Sequence, residues 1–495
     1  MAESFWKIAS RHRRRAFVVF AIFTILYFLF LWVLLIGVYL LLRLYGFSFG
    51  ELPVLQGSAL TAFGIGSLLV AAQYRFARRH ALPHILEMLR AHPPDPTDSY
   101  HVRFRNVVEE MRLAAGVPVG IQPVISSLVS ANAFAATDQL HGAVVGVTEG
   151  LLAKLDREQL QCVVAHEIAH LRSGDATLTT LICSMIVPFV TLYEKARASR
   201  ESLQDTRSRA GGSVGLGEAY LFLVVFILRL LATLVERRRE LRADAEAVEL
   251  TRNPVALAEA IWVVTRENHF VCDDMIGNAY APIFIADPTA GPDGGRDGFL
   301  AELFTTHPPL GRRLAPLLEM AGINMPELLD RLEHKTSLRQ KVYGAVKEDL
   351  PTDLIQEPLG GELNAQVGSC PECGIPLAPD RWAGVLIASC PHCHGRLVED
   401  AKMVRVLTRA TWRANTISPE EAEAFFRKNY LRSKSPEFSD PRPKHVCPLC
   451  KLTMTRNYFS YQFNIIVDRC FACDVTWFDA NELEMLYQLQ HVIHE

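Results

Sequence analysis

The chain has 495 residues, with 51 Lys+Arg against 54 Asp+Glu and 49% hydrophobic residues. That length is enough for several domains. A net charge of −3 gives no bulk electrostatic reason to expect nucleic-acid binding, and the informative features are the 16 histidines, the 11 cysteines and the apolar runs.

Lys7, Arg11, Arg13, Arg14 and Arg15 precede an uncharged run from Ala16 to Leu42, longer than the roughly 20 residues that cross a bilayer as a helix. No small-x-small site closes this run, so it reads as an anchor and not as a cleaved signal peptide. A second uncharged run, Leu52 to Tyr74, stops at Arg75, Arg78 and Arg79. Basic clusters before the first run and after the second put both ends on the cytoplasmic side. Residues 1–80 are therefore expected to be an anchor of two transmembrane helices, about 16–42 and 52–74, in the cell inner or plasma membrane.

From 81 to 335 helical and strand patterns alternate, which points to an α+β domain. His101 to Ala115 reads as a helix, Gln122 to Val129 and Gly142 to Thr148 as β-rich, with Ala133 to Thr137 between them. An exposed strand at 133–137 would take up an extended peptide by strand addition. Asn132, at its head, either helps fix that geometry or is an ordinary turn residue.

The richest stretch follows. His166 and His170 are four residues apart with Glu167 beside the first. On a helix that spacing stacks two imidazoles on one face, able to share a zinc ion, while Glu167 leans toward an attacking water as general base. Asp156 is a plausible cap for such a helix, and the spacers Val163, Val164, Ile168 and Ala169 are apolar as a buried helix requires. Catalytic zinc usually takes three side chains. The best third candidate is Glu240, with Asp244 one turn on to accept a hydrogen bond from a ligand histidine. The same two carboxylates also suit a solvated, charge-paired helix.

Two apolar runs, 176–193 and 219–235, separate His170 from Glu240. Since both must reach one ion, the runs are expected to leave and return as a helical hairpin, either through the membrane or lying within the cytoplasmic domain. Further on, His307 and Arg313 are candidates for binding substrate or stabilising the oxyanion, although a His before two prolines also suits a loop or helix start.

Taken together, Asn132-Ala-Phe-Ala135, Gly150-Leu-Leu152, His166-Glu-Ile-Ala-His170 with Gly174-Asp175, Glu240 with Ala243-Asp244, Asn253-Pro254, and Thr306-His-Pro-Pro309 with Arg313 resemble the HtpX-type membrane metalloproteases, relatives of the CAAX prenyl endopeptidases among the gluzincins. The resemblance spans about Leu82 to Leu332. It implies a zincin-like fold, Glu240 as third zinc ligand and Glu167 as general base. Glu236 stands where the family often has Ser.

The remaining chain is read from its cysteines. Cys370, Cys373, Cys390 and Cys393 form one set of paired C-x-x-C knuckles, and Cys447, Cys450, Cys470 and Cys473 a second. That pattern is the signature of zinc ribbons, in which four thiolates close a structural site. The reducing cytoplasm disfavours disulfides as the alternative. Ribbons are expected at 369–410 and 445–490, after linkers at 336–368 and 411–444, and the tails after each unit resemble TFIIB-type ribbon modules. Cys162, Cys183 and Cys272 read as buried thiols.

The expected architecture is thus an α+β zincin-like peptidase domain with transmembrane helices, followed by two small zinc ribbons. The expected protein is a membrane zinc endopeptidase that acts on membrane or membrane-proximal polypeptides, uses one catalytic and two structural zinc ions, and keeps its catalytic and ribbon domains in the cytoplasm. The ribbons would be accessory modules facing substrates or partners. A catalytically silent scaffold is the alternative. It has no need of a metal triad, a base and a supporting carboxylate together.

Overall fold

The computed structural model describes residues 51–118, 120–205, 239–267, 280–286, 307–345, 368–382, 384–409, 444–459 and 465–486, together with part of a helix between residues 21 and 37. The first unit is built on a four-stranded sheet of order β1 (Ala91–His92), β2 (Ile121–Ser126), β4 (Gly142–Thr148), β3 (Ala133–Asp138). β2 and β4 are parallel, and the other pairings are antiparallel.

Because side chains alternate along a strand, β4 serves two cores. Val145 and Val147 join Phe104, Val163 and Ile261 on one face. Val144 turns to the other with Phe134, Ile85 and Ile182. Gly146 lies opposite Phe134, where a Cβ would come within 2.1 Å of the ring, so only glycine lets Phe134 lie across the sheet.

The first core is closed by helices whose ends are written in their caps. Helix α2 (Ser99–Ala114) starts at Asp98, whose side chain accepts from the Tyr100 and His101 amides. After the short α3 (Glu149–Lys154), helix α4 (Arg157–Ser173) opens with a reciprocal capping box between Asp156 and Gln159. It stops at Gly174 in the left-handed conformation, φ 74.

The second core is made by α1 (Glu51–Met88) and α5 (Asp175–Asp205) against the sheet. α1 bends at His80, just before Pro83. In α5, Pro188 cannot donate to the Ser184 carbonyl four residues back. Gln73 of α1 supplies a donor instead, its Nε2 lying 3.3 Å from Ser184 O and 3.2 Å from Met185 O.

Among the described residues, one helical stretch, Asp175–Tyr193, is long and apolar enough to cross a membrane, and 67% of it is buried inside the protein. α1 instead turns large apolar side chains outward, with Leu60 75% and Leu68 70% exposed and Phe63, Ile65 and Phe76 beside them. Of the expected spans, 16–42 is described only in part, and 219–235 lies outside the described residues.

Helices α6 (239–251), α7 (Pro254–Arg266), α8 (Leu310–Ala321) and α9 (Met325–Ala345) complete this unit. α9 runs into the region expected as a linker.

The two cysteine units are not separate sheets. β5 (Ala378–Trp382), β6 (Val385–Ser389) and β7 (Arg396–Glu399) pair through β7 with β10 (Val475–Phe478) of the second unit, which continues to β9 (Ile466–Cys470) and β8 (Thr455–Tyr458). The result is one six-stranded antiparallel sheet. Gly395 makes room for Trp477 at this junction, where a Cβ would meet the indole at 2.2 Å.

This C-terminal module is docked on the first unit. Helix α10 (Met403–Thr408), following the first cysteine unit, sends Arg405 and, just past its end, Arg409 into an acidic socket. Arg409 is fully buried, with Nη2 2.9 Å from Glu149 Oε2 and its guanidinium carbon 4.4 Å from the Tyr100 ring centre. Arg405 Nη1 lies 2.8 Å from Asp95 and 3.4 Å from Asp98.

Candidate metal centre and active site

α4 brings His166, Glu167 and His170 together, and Glu167 and His170 line a cavity. The two imidazoles meet edge to face, ring centres 4.7 Å apart, with their Nε2 atoms 3.1 Å from each other. α6 brings Glu240 to them. Its Oε2 is 3.5 Å from His166 Nε2 and its Oε1 3.3 Å from His170 Nε2. One donor atom from each of the three residues lies within 4.8 Å of the others. Asp244, one turn along α6, places Oδ1 2.9 Å from His166 Nδ1.

The donor set fits zinc. Two imidazoles and a carboxylate converge as nitrogen and oxygen ligands do around that ion. Glu240 Oε2 and Glu167 Oε1 are both buried without a hydrogen-bond partner among the described residues, a costly state that a cation between the ligands would relieve. Asp244 on His166 Nδ1 leaves Nε2 turned to the common point.

The electrostatics follow from burial and crowding. Burial pushes the Glu167 carboxyl up to about 7, although His166 and His170 pull it down. Burial acts the same way on Glu240, yet His307, His170 and His166 outweigh it and hold this carboxyl well below the ordinary range. Asp244 is lowered against burial by Arg313 and His166. Burial disfavours charge on His166, but Asp244 and Glu240 raise it to about 9, so a metal arriving there displaces a proton.

The other candidates from the sequence sit around this centre in different roles. Arg313 grips Asp244 with two bonds, Nε at 3.0 Å and Nη2 at 2.7 Å, and donates Nη1 to Ile285 O at 2.7 Å. His307 Nε2 is 2.6 Å from Phe284 O and 4.0 Å from Glu240 Oε2. Asn132 is buried, donates to Ala286 O at 3.0 Å and accepts from Ala133 N at 3.0 Å.

The strand expected to be exposed is not. β3 is the sheet edge, but Ala133, Phe134, Ala135 and Ala136 are buried. Its outer side at Ala133–Phe134 is taken by the segment 284–285, with Ile285 N donating to Ala133 O at 2.9 Å and Phe284 bridging Phe134. The physical reason is that an apolar edge with unpaired backbone is costly, and the chain covers it with its own segment. The cavity opens further along, beside Ala135 and against Pro282, Ile283 and Phe284.

Arg239 also lines the cavity, next to Glu240. The sequence hides it inside the run Arg237-Arg-Arg239, where charge alone does not distinguish an inward residue.

In the C-terminal module, Cys370, Cys373, Cys390 and Cys393 bring their sulfurs within 4.8 Å of one another, as do Cys447, Cys450, Cys470 and Cys473. None of the eight is disulfide-bonded. Backbone amides point at sulfur in the first knuckles, Cys373 N 3.3 Å from Cys370 Sγ and Cys393 N 3.5 Å from Cys390 Sγ. Such donors outweigh burial at Cys390 and bring its thiol down to about 7, and amide donation does the same at Cys450. Four sulfurs gathered in each tetrad fit a closed metal site. Cys162 and Cys183 are buried thiols, and Cys272 lies outside the described residues.

A family model described as peptidase family M48 matches residues 101–321. A protease HtpX homolog of Streptococcus thermophilus is 31% identical over 301 residues, covering 58% of this chain and 96% of the relative. One from Streptococcus pneumoniae is 31% identical over 309 residues with the same coverage. The crystal structure of S. mikatae Ste24p aligns at 15% identity with a TM-score of 0.30, over 52% of this chain and 58% of that one.

Proposed function

Given that the chain belongs to peptidase family M48 and is a metalloprotease, we propose that it is an integral-membrane zinc endopeptidase that hydrolyses membrane or membrane-proximal polypeptides from the cytoplasmic side. The observation that carries this reading is the convergence of His166, His170 and Glu240 within 4.8 Å, beside Glu167.

Zinc held by His166, His170 and Glu240 would supply Lewis acidity, polarising the scissile carbonyl and acidifying water. Glu167, raised to about 7 by burial, is matched to proton transfer near neutrality. It takes the proton of the attacking water and returns it to the leaving amine, so no covalent enzyme intermediate forms. Asp244 Oδ1, 2.9 Å from His166 Nδ1, pairs with that nitrogen and favours the orientation that leaves Nε2 for the metal. Arg313 holds Asp244 by a two-pronged bond, a positioning role in place of oxyanion binding. His307 and Asn132 secure the segment 284–286 that walls the cavity.

The membrane part of the reading rests on the arginine-flanked apolar runs and the outward-facing side chains of α1. The division into anchor (1–80), peptidase domain (81–335) and two zinc ribbons (369–410, 445–490) is part of the proposal, with the ribbons sharing one sheet. Polypeptides are the substrates, and the lipid bilayer is the other partner.

The test is cleavage of an unfolded or membrane-protein substrate by the purified, zinc-loaded protein. Activity must be abolished by a chelator, restored by zinc and lost in Glu167→Gln. Turnover that persists in the chelator or in the variant overturns the reading.

A further inference from the structure

We infer that the cysteine-rich module is a metal-dependent latch on the peptidase unit. A metal ion in the first tetrad, Cys370, Cys373, Cys390 and Cys393, keeps Arg405 and Arg409 seated in the acidic socket. Emptying that tetrad loosens helices α2 and α3 although no peptidase ligand is touched. The inference rests on the reading of this tetrad as a metal site.

The socket is costly to leave open. Asp98 and Glu149 are each 1% exposed, and they share the imidazole of His101, whose Nε2 lies 3.6 Å from one and 2.9 Å from the other. Arg409 bonds to both carboxylates, and Arg405 lies 3.4 Å from Asp98 and 3.3 Å from Glu149. With the arginines withdrawn, two carboxylates stay buried beside a single imidazole, an arrangement that is strongly destabilising.

The first cysteine unit is what seats the arginines. α10 has six residues and no side-chain cap, too short to persist by itself. Trp382 Nε1 of β5 donates to Val406 O at 2.9 Å, and Met403 and Val406 pack with Val385 of β6 and Val398 of β7. These strands have only four or five residues each. The turn from β6 to β7 is the knuckle that carries Cys390 and Cys393, and Cys370 and Cys373 come shortly before β5. Cys370 and Cys390 themselves complete the interior beside Leu377, Ala388 and Leu397. An interior this small, closed by its own sulfurs, takes much of its folding free energy from the ion those sulfurs bind.

On the peptidase side the latch meets the starts of two helices. Asp98 caps α2, which puts Phe104 and Val108 into the same core as Val163 and Ile168 of the metal helix α4. Glu149 opens α3, which leads through Leu155 and Asp156 into α4. Metal in the tetrad and order at these helix starts are thus two ends of one chain of contacts.

The test uses full-length protein in detergent. In Cys370→Ser/Cys373→Ser, amide hydrogen exchange over residues 99–104 and 149–155 should be about tenfold faster or more, with zinc analysis reading the loss of metal. Coupling is reciprocal. Arg409→Ala should therefore weaken zinc retention by the tetrad, read by competition with a chromophoric chelator, and emptying the tetrad in that variant should add little further exchange. If the Ser variant loses no zinc relative to wild type, the metal reading of the tetrad and the latch fall together. Zinc lost with exchange unchanged overturns the latch alone, and so do fully additive effects in the combined variant. Should Arg409→Ala fail to fold, Arg405→Ala gives the same comparison. Should the Ser variant fail to fold, graded zinc removal by chelator in Glu240→Ala, whose remaining zinc is that of the tetrads, replaces it.

Discussion

Arg409 Nη1 lies 2.8 Å from each carboxylate oxygen of Asp98. Asp98 caps helix α2 of the first unit, while Arg409 follows α10 of the cysteine-rich module. A buried bond of this kind makes the module part of the same folded body. Gly384 supports the contact, since a Cβ there would lie 2.4 Å from Ser99 Oγ.

Arg409→Ala should destabilise the protein by up to about 3–5 kcal/mol, because it leaves Asp98 and Glu149 buried with only Arg405 and His101 beside them. Denaturant unfolding in detergent reads the midpoint, and limited proteolysis reads release of the module. An unchanged midpoint would mean that the socket contributes nothing net.

The same socket sets an acid limit. Burial would raise the Glu149 carboxyl, but His101, Arg409 and Arg405 bring it down to about 2 from the usual 4.5. A folded-state pKa below the unfolded one gives stability that is complete above about pH 4.5 and is lost as pH falls toward 2. Unfolding free energy should therefore drop across that window. The drop should be shallower in Arg409→Ala.

At the active site, Glu167→Gln should keep its zinc because the ligands are untouched. It should lose ~10²-fold or more of peptidase activity through the missing proton transfer. Metal analysis alongside a cleavage assay checks both halves, and comparable turnover would sink the role of Glu167.

Glu240→Ala should empty the peptidase site while both cysteine tetrads stay filled, a loss of one zinc ion per chain. If zinc content is unchanged, another carboxylate is the third ligand.

Wild-type protein should hold three zinc ions per chain, one at the peptidase site and one in each cysteine tetrad. The thiolates persist only in a reducing compartment. Cysteine labelling in intact and then permeabilised cells should find Cys470 and Cys473 reached only after permeabilisation. About one zinc per chain, with these two disulfide-bonded and open to labelling from outside after reduction, would reverse both the ribbon assignment and the topology.

The sequence by itself determined the chemistry, since the spacings that matter are local. Residues four apart on a helix must share a face, which makes His166 and His170 legible as a pair and Glu240 with Asp244 as another. The family resemblance read from these motifs is borne out. Knuckles two residues apart gather their thiols in the same way. What only the tertiary structure decided lies between segments distant in the chain. Pairing of β7 with β10 fused two cysteine units into one sheet. Phe284 and Ile285 covered the strand edge that local pattern left open. Arg313 was drawn to Asp244, 69 positions away, and Arg409 to Asp98, 311 positions away. A buried guanidinium must find whichever carboxylate the fold brings to it, and no periodicity records that partner. Packing chooses it, by setting each buried charge beside groups of opposite sign.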